Sequence, residues 1–220
     1  MMTTTKEMMM TETPIKVDFY FDFLCPFAYR ASLWMDEVQQ HMGEHLSIGW
    51  RYFSLEQINH KAGEKWKLWE QPDDYTPQNG RTESRSLLAF WAAEAARRQG
   101  APGFTNFRRE LYRARHEDKV AFSGREDFLP WAERAGLDMA RFTKDFQDRG
   151  MLEALRQDHE TAHAKYKAFG VPTIAFDDDN AFYLKISQVP PATDALPLFE
   201  ELRRSLTSRR WLSEIKRPNP

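Results

Sequence analysis

The chain has 220 residues, with 31 Lys plus Arg against 33 Asp plus Glu, a formal charge of -2, and a single cysteine, Cys25. One cysteine excludes an intramolecular disulfide, a redox cycle between two thiols of the same chain and a multi-cysteine zinc site. At 41% apolar and 14% aromatic the sequence suffices for a sizeable core, and its balanced charge argues against nucleic acid as a partner.

Residues 1–14 are rich in Met and Thr without a continuous apolar stretch, and read as a disordered tail, not a secretory signal. The wholly apolar run from Leu87 to Ala93 is far short of the ~20 residues of a membrane span, so no membrane is expected and a cytoplasmic protein is the plain reading. Ile15, Val17, Phe19 and Phe21 alternate with Lys16, Asp18 and Tyr20, which predicts a strand with one buried face. Cys25-Pro26 opens a helix in which Phe27, Ala31, Trp34, Met35, Val38 and Met42 follow helical spacing up to Gly43. Leu46, Ile48, Trp50 and Tyr52 mark a second strand. Ser54 to Gly80 reads as a loop of about thirty residues, partly helical around Trp66 to Trp69; loops of that length are usually functional.

From Thr82 to about Gln157 only helical signals occur. Thr82-Glu83 precedes a helix closed near Gly100, and Phe104, Phe107, Leu111 and Tyr112 mark another. Ser123 with Glu126 fits a capping box, the next helix stops at Gly136, and Asp138 caps its successor. The last helix of the block places Leu152, Leu155, His159, Ala162, Tyr166 and Phe169 on one face, with Gly170 as its stop. Val171 to Phe176 and Phe182 to Ile186, joined by the polar turn Asp177-Asp178-Asp179-Asn180, pair as a hairpin, and a final helix starts after Asp194 with Pro197 in its first turn. Strand-helix-strand at the front implies a right-handed parallel unit. The result is an α/β protein with a four-stranded mixed sheet interrupted by an all-helical subdomain.

Pro26 suits the first helical position, which makes Cys25 the N-cap, with the amides of Phe27 and Ala28 directed toward its sulfur. A helix N-terminus favours the thiolate, whereas the carboxylate of Asp22 opposes it, and the balance is open at this stage. A lone cysteine is otherwise most often a small buried hydrophobe. Gly170-Val171-Pro172-Thr173 sits at a strand entrance; a cis bond at Pro172 would leave the Val171 backbone free to pair with an extended ligand, and an ordinary trans proline is the alternative.

Asp22-Phe23-Leu24-Cys25-Pro26-Phe27-Ala28-Tyr29 after the first strand, with Phe169-Gly170-Val171-Pro172-Thr173 before the third and helices between, resembles the DsbA-like branch of the thioredoxin superfamily. Within it the chain is similar to FrnE-type oxidoreductases, mycothiol-dependent nitroreductase-like proteins, kappa-class glutathione transferases and 2-hydroxychromene-2-carboxylate isomerases. The resemblance covers about Val17 to Leu206. It implies a thioredoxin fold, with residues 15–81 and 166–210 as the thioredoxin-like domain and 82–165 as the helical insertion. It also implies that Cys25 is the attacking thiol, Pro26 and Phe27 the residues inside the motif, and Val171-Pro172 the cis-proline loop. Ala28 stands where dithiol members have a resolving cysteine, and transferase members usually carry Ser where this chain has Cys25.

The resemblance therefore implies a monothiol oxidoreductase whose mixed disulfide is resolved from outside, by glutathione, mycothiol, bacillithiol or another protein, with a thiol or disulfide as substrate. A kappa-like transferase or isomerase, with Cys25 as hydrogen-bond partner of a bound thiol, and a non-catalytic binding module or chaperone are the alternatives. Related transferases commonly dimerise, so a homodimer is an implied partner. No metal is expected: His159 and His163 share a helix face without a zinc-protease motif, and His41 and His45 suit a helix C-terminus. Trp66, Trp69 and Tyr75 either line an apolar pocket over the thiol or anchor the long loop.

Overall fold

The computed structural model describes residues 13–77, 84–176, 180–209 and 211–212. The N-terminal tail up to residue 12, the Thr82-Glu83 helix start and the turn at Asp177-Asp178-Asp179 lie outside them. Strands β1 (Ile15–Phe21), β2 (Leu46–Tyr52), β3 (Thr173–Phe176) and β4 (Ala181–Tyr183) form one sheet in the order β2-β1-β3-β4. β1 and β2 are parallel, from Ile15 opposite Leu46 to Phe21 opposite Tyr52, whereas β1–β3 and β3–β4 are antiparallel. Helix α1 (Pro26–Met42) makes the crossover between β1 and β2. Between β2 and β3 the chain forms α2 (Leu55–Asn59), α3 (Ser86–Arg97), α4 (Ala101–His116), α5 (Leu129–Arg134), α6 (Met139–Gln147) and α7 (Leu152–Tyr166), and α8 (Ala192–Ser208) follows the hairpin. This is a thioredoxin fold with a helical insertion.

β1 is buried on both faces, since Phe19, Tyr20 and Phe21 are all inaccessible, where alternation had predicted one. Its central position explains this: layers of helix cover both sides, as in other sheets with a parallel core. Phe176, opposite Val17, meets Phe199 of α8 with ring centroids 6.1 Å apart, while on the other face Tyr20 meets Tyr166 of α7 at 5.9 Å. α1 and α8 are joined by Trp34, whose indole N–H donates to the Ala195 carbonyl at 2.9 Å. The insertion is tied to the core by Arg108 of α4. Its fully buried guanidinium donates to Asp36 of α1 at 2.6 Å and lies 3.7 Å over the Trp50 ring of β2.

Several boundaries differ from the sequence reading. α7 stops at Tyr166 because Lys167 takes the left-handed conformation (φ 55°) that ends a helix, and Ala168 N–H closes back on the Ala162 carbonyl at 3.1 Å. Phe169 therefore leaves the helical stripe and is 68% exposed. β4 is shorter than Phe182 to Ile186, although Leu184 N–H still bonds the Pro172 carbonyl at 3.0 Å. The expected Ser123–Glu126 box is replaced by Asp127, whose Oδ2 accepts from Ser123 N–H at 2.8 Å and Gly124 N–H at 2.9 Å. α8 begins earlier, at Ala192, which puts Pro197 in its second turn. The Ser54–Gly80 segment folds α2 and short 3₁₀ turns, Leu68–Glu70 among them, along its described part.

Trp34 is 1% exposed, so Trp34→Ala removes both a large packed ring and the link to α8. A loss of about 3–5 kcal/mol is expected in urea unfolding. A loss below about 1 kcal/mol would contradict this account of how α8 is held.

Candidate active site

The site is built where β1 ends. Asp22 is buried and each of its oxygens takes one backbone N–H, Oδ1 from Leu24 at 2.9 Å and Oδ2 from Leu55 at 2.8 Å. Its backbone carbonyl accepts from Cys25 N–H at 3.1 Å, which closes the turn that presents the cysteine. Burial pushes the Asp22 carboxyl up to about 6, with the two amides pulling it down and the nearby Glu56 adding to the rise.

Cys25 is the N-cap of α1 with extended backbone angles, Pro26 occupies the first helical position, and Tyr29 N–H donates to the Cys25 carbonyl at 3.0 Å. The sulfur does not face solvent: Cys25 is 4% exposed and its thiol donates to the Val171 carbonyl at 3.4 Å. The Val171–Pro172 peptide is cis, and both residues are buried. Thr173 Oγ1 donates to the Gly170 carbonyl at 2.7 Å, which steadies the loop. The ring of Tyr183 lies so close over Gly170 that an added Cβ there would come within 3.3 Å of Tyr183 Cε2.

The contest left open by the sequence is decided by burial. Desolvation pushes the Cys25 thiol up to about 11, the amides of Ala28 and Phe27 and the charge of Arg30 pull it down, and Asp22 pushes it further up. At neutral pH the resting group is a thiol. Ala28 is buried on the first helical turn and brings no second sulfur.

The structure thus gathers Asp22, Cys25, Pro26, Phe27, Ala28, Val171 and Pro172 at one place, and adds residues from α4 that the sequence reading did not single out. His116 Nε2 lies 2.8 Å from the Phe23 carbonyl, and its ring stacks on Tyr29 with centroids 5.1 Å apart. A carbonyl only accepts, so Nε2 carries the proton; burial holds the imidazole neutral by lowering its pKa to about 4. Tyr29 in turn donates to Glu117. Tyr112, one turn before His116, packs on Phe23 at 5.2 Å, and its buried hydroxyl has no hydrogen-bond partner among the described residues. The spacing of Arg108, Tyr112 and His116 at intervals of four was the available signal, since it puts all three on one helix face.

The aromatics of the long loop anchor it. Trp69 and Tyr75 are buried, Trp66 stacks on His60 at 3.9 Å, and Tyr75 donates to Glu56 Oε2 at 2.5 Å. His159 is a core residue: Nδ1 accepts from Ser54 N–H at 3.2 Å and the ring stacks on Phe53 at 4.4 Å, while His163 is exposed. Among the described residues no three His, Cys, Asp or Glu side chains are grouped to hold a metal, and no helix is long and apolar enough to cross a membrane.

A cysteine capping a helix directly after a central strand, opposite a cis-proline loop, narrows the comparison with known proteins. The model of the DSBA-like thioredoxin domain matches residues 16–195. The chain belongs to this DSBA-like family. An uncharacterized protein of Mycobacterium tuberculosis is 30% identical over 208 residues, which cover 92% of this chain and 81% of that one. The Na(+)/H(+) antiporter NhaA 1 of Mycobacterium sp. strain KMS is 30% identical over 153 residues, 69% of this chain but only 20% of the antiporter. Among solved structures, 2-hydroxychromene-2-carboxylate isomerase superposes with a TM-score of 0.59 at 19% identity, covering 90% of this chain and all of that one. This likeness is one of fold.

Two measurements follow. Asp22→Asn removes a negative charge that disfavours the thiolate, so the midpoint of Cys25 alkylation against pH is expected to fall from its raised value near 11; an unchanged midpoint would show that Asp22 does not act on the sulfur. For His159, burial lowers the pKa to about 4. The unfolded chain takes up the proton first, near the ordinary 6.5, so this residue destabilises the fold as pH drops from about 6.5 toward 4. Its ring resonances in NMR should keep their neutral positions at pH 6, and a midpoint near 6.5 would contradict the buried, neutral assignment.

Proposed function

We propose that this DSBA-like protein is a single-thiol oxidoreductase acting in the cytoplasm, where reduced low-molecular-weight thiols are abundant. The observation that carries the reading is the pairing of Cys25, at the N-terminus of α1, with the Val171 carbonyl of the cis-proline loop, together with Ala28 at the place of a resolving thiol. A disulfide substrate, small molecule or protein, binds along that loop. The Cys25 sulfur forms a bond to one substrate sulfur as the substrate S–S bond breaks, and the other sulfur leaves and takes up the proton that Cys25 gives up. The amides of Phe27 and Ala28 stabilise the thiolate while it attacks. An external thiol, glutathione, mycothiol or bacillithiol, then attacks the mixed disulfide and releases Cys25 as a thiol.

The raised thiol pKa supports a second reading, in which Cys25 stays protonated and donates a hydrogen bond to the sulfur of a bound thiol cofactor, in a transferase or isomerase of the kappa kind. The two readings make opposite demands on Cys25. After exposure to a disulfide, intact mass spectrometry is expected to find one adduct, located on Cys25 and absent from Cys25→Ala. Glutathione conjugation that Cys25→Ser retains and Cys25→Ala loses, with no adduct on the parent protein, would sink the oxidoreductase reading in favour of the transferase.

A further inference from the structure

The ring of Phe27, next but one to the reactive sulfur, is flanked by two cations. Lys185 Nζ lies 4.4 Å and Arg30 Cζ 5.5 Å from its centroid. Phe27 and Arg30 are one helical turn apart on α1, whereas Lys185 arrives from the chain just past β4, so the pair is assembled by the fold and not by local sequence. Several cations of this chain face carboxylates within 3.6 Å, among them Arg51, Arg97, Arg108, Arg109, Arg125 and Arg156. Among the described residues no carboxylate forms an ion pair with Arg30 or with Lys185. Lys185 is exposed, and Tyr183, two residues before it, carries Phe169 against its ring at 5.1 Å on the rim of the cis-proline loop.

Arg30 acts on the Cys25 thiol through its charge and shares the Phe27 ring with Lys185, so both cations stand near the buried sulfur that a reactant must reach. Each of the two is held against the Phe27 ring by a cation–π contact. We propose that Arg30 and Lys185 form an anion subsite that binds the carboxylates of the low-molecular-weight thiol, so that the protein takes a carboxylate-bearing thiol or disulfide in preference to an uncharged one. The proposal rests on the thiol-exchange reading above and adds the class of co-substrate. In the step concerned, Cys25 sulfur bonds to one sulfur of an oxidised carboxylate-bearing disulfide. The S–S bond breaks, and the departing half leaves as a thiolate that accepts the Cys25 proton. The subsite holds the half that stays.

Three symmetrical disulfides of different charge provide the test: oxidised glutathione, 2-hydroxyethyl disulfide and cystamine. The rate of adduct formation on Cys25 is expected to be about tenfold higher for oxidised glutathione than for the uncharged probe, lowest for cystamine, and to lose this order at high salt. The ratio of glutathione to uncharged-probe rates cancels any change in thiolate fraction, so it is compared in Arg30→Gln, Lys185→Gln and the double variant. A ratio that falls toward one in the double variant supports the subsite. A ratio near one in the parent protein, or a high ratio that survives both substitutions, overturns it. Binding of S-methylglutathione, which has no thiol to exchange, separates the subsite from the redox reading: charge-dependent binding with an inert Cys25 removes only the latter, and neither binding nor preference removes both.

Discussion

Everything at the site hangs on the carboxylate of Asp22. Its two oxygens hold the amides of Leu24 and Leu55, one in the turn that delivers Cys25 and the other at the start of α2 after β2. Both amides lie where water has little access, and leaving one unpaired would cost about 1–3 kcal/mol. A neutral acceptor would satisfy them with less desolvation. The charged group is retained under the sulfur, where it raises the thiol pKa instead of lowering it. The same group that organises the loop therefore adds to the rise that burial imposes on the Cys25 thiol.

Helix α4 supplies the second support. Its inward face runs from Arg108, gripping Asp36 and Trp50, through Tyr112 to His116, which donates to the Phe23 carbonyl. The insertion is thus part of the site's wall. A thioredoxin sheet with its first helix would leave the outer side of Phe21 and Phe23 open; here Tyr112 and His116 of one helix pack against it.

Local features were legible in the sequence because local rules govern them. Alternation located β1 and β2, Cys25-Pro26 fixed the N-cap, Gly136 marked the end of α5's turn, and Asp138 caps α6 by accepting from Arg141 N–H at 3.0 Å. The features that sequence reading missed depend on distant packing. Tyr20 is buried because α7 covers a face that alternation assigned to solvent. Phe169 is exposed because Lys167 adopts a left-handed angle no propensity announces. The protonation of Cys25 turned on desolvation, which the fold determines as a whole, and Arg30 and Lys185 flank one ring although 155 positions separate them in the chain.

The partner of the Cys25 thiol lies 146 residues further along the chain. During synthesis the cysteine emerges long before Val171 exists, and until the cis-proline loop docks, the Val171 carbonyl is not there to accept its proton. In the finished fold the single sulfur is buried against the Val171 carbonyl, so any reagent that reaches it must first displace that contact.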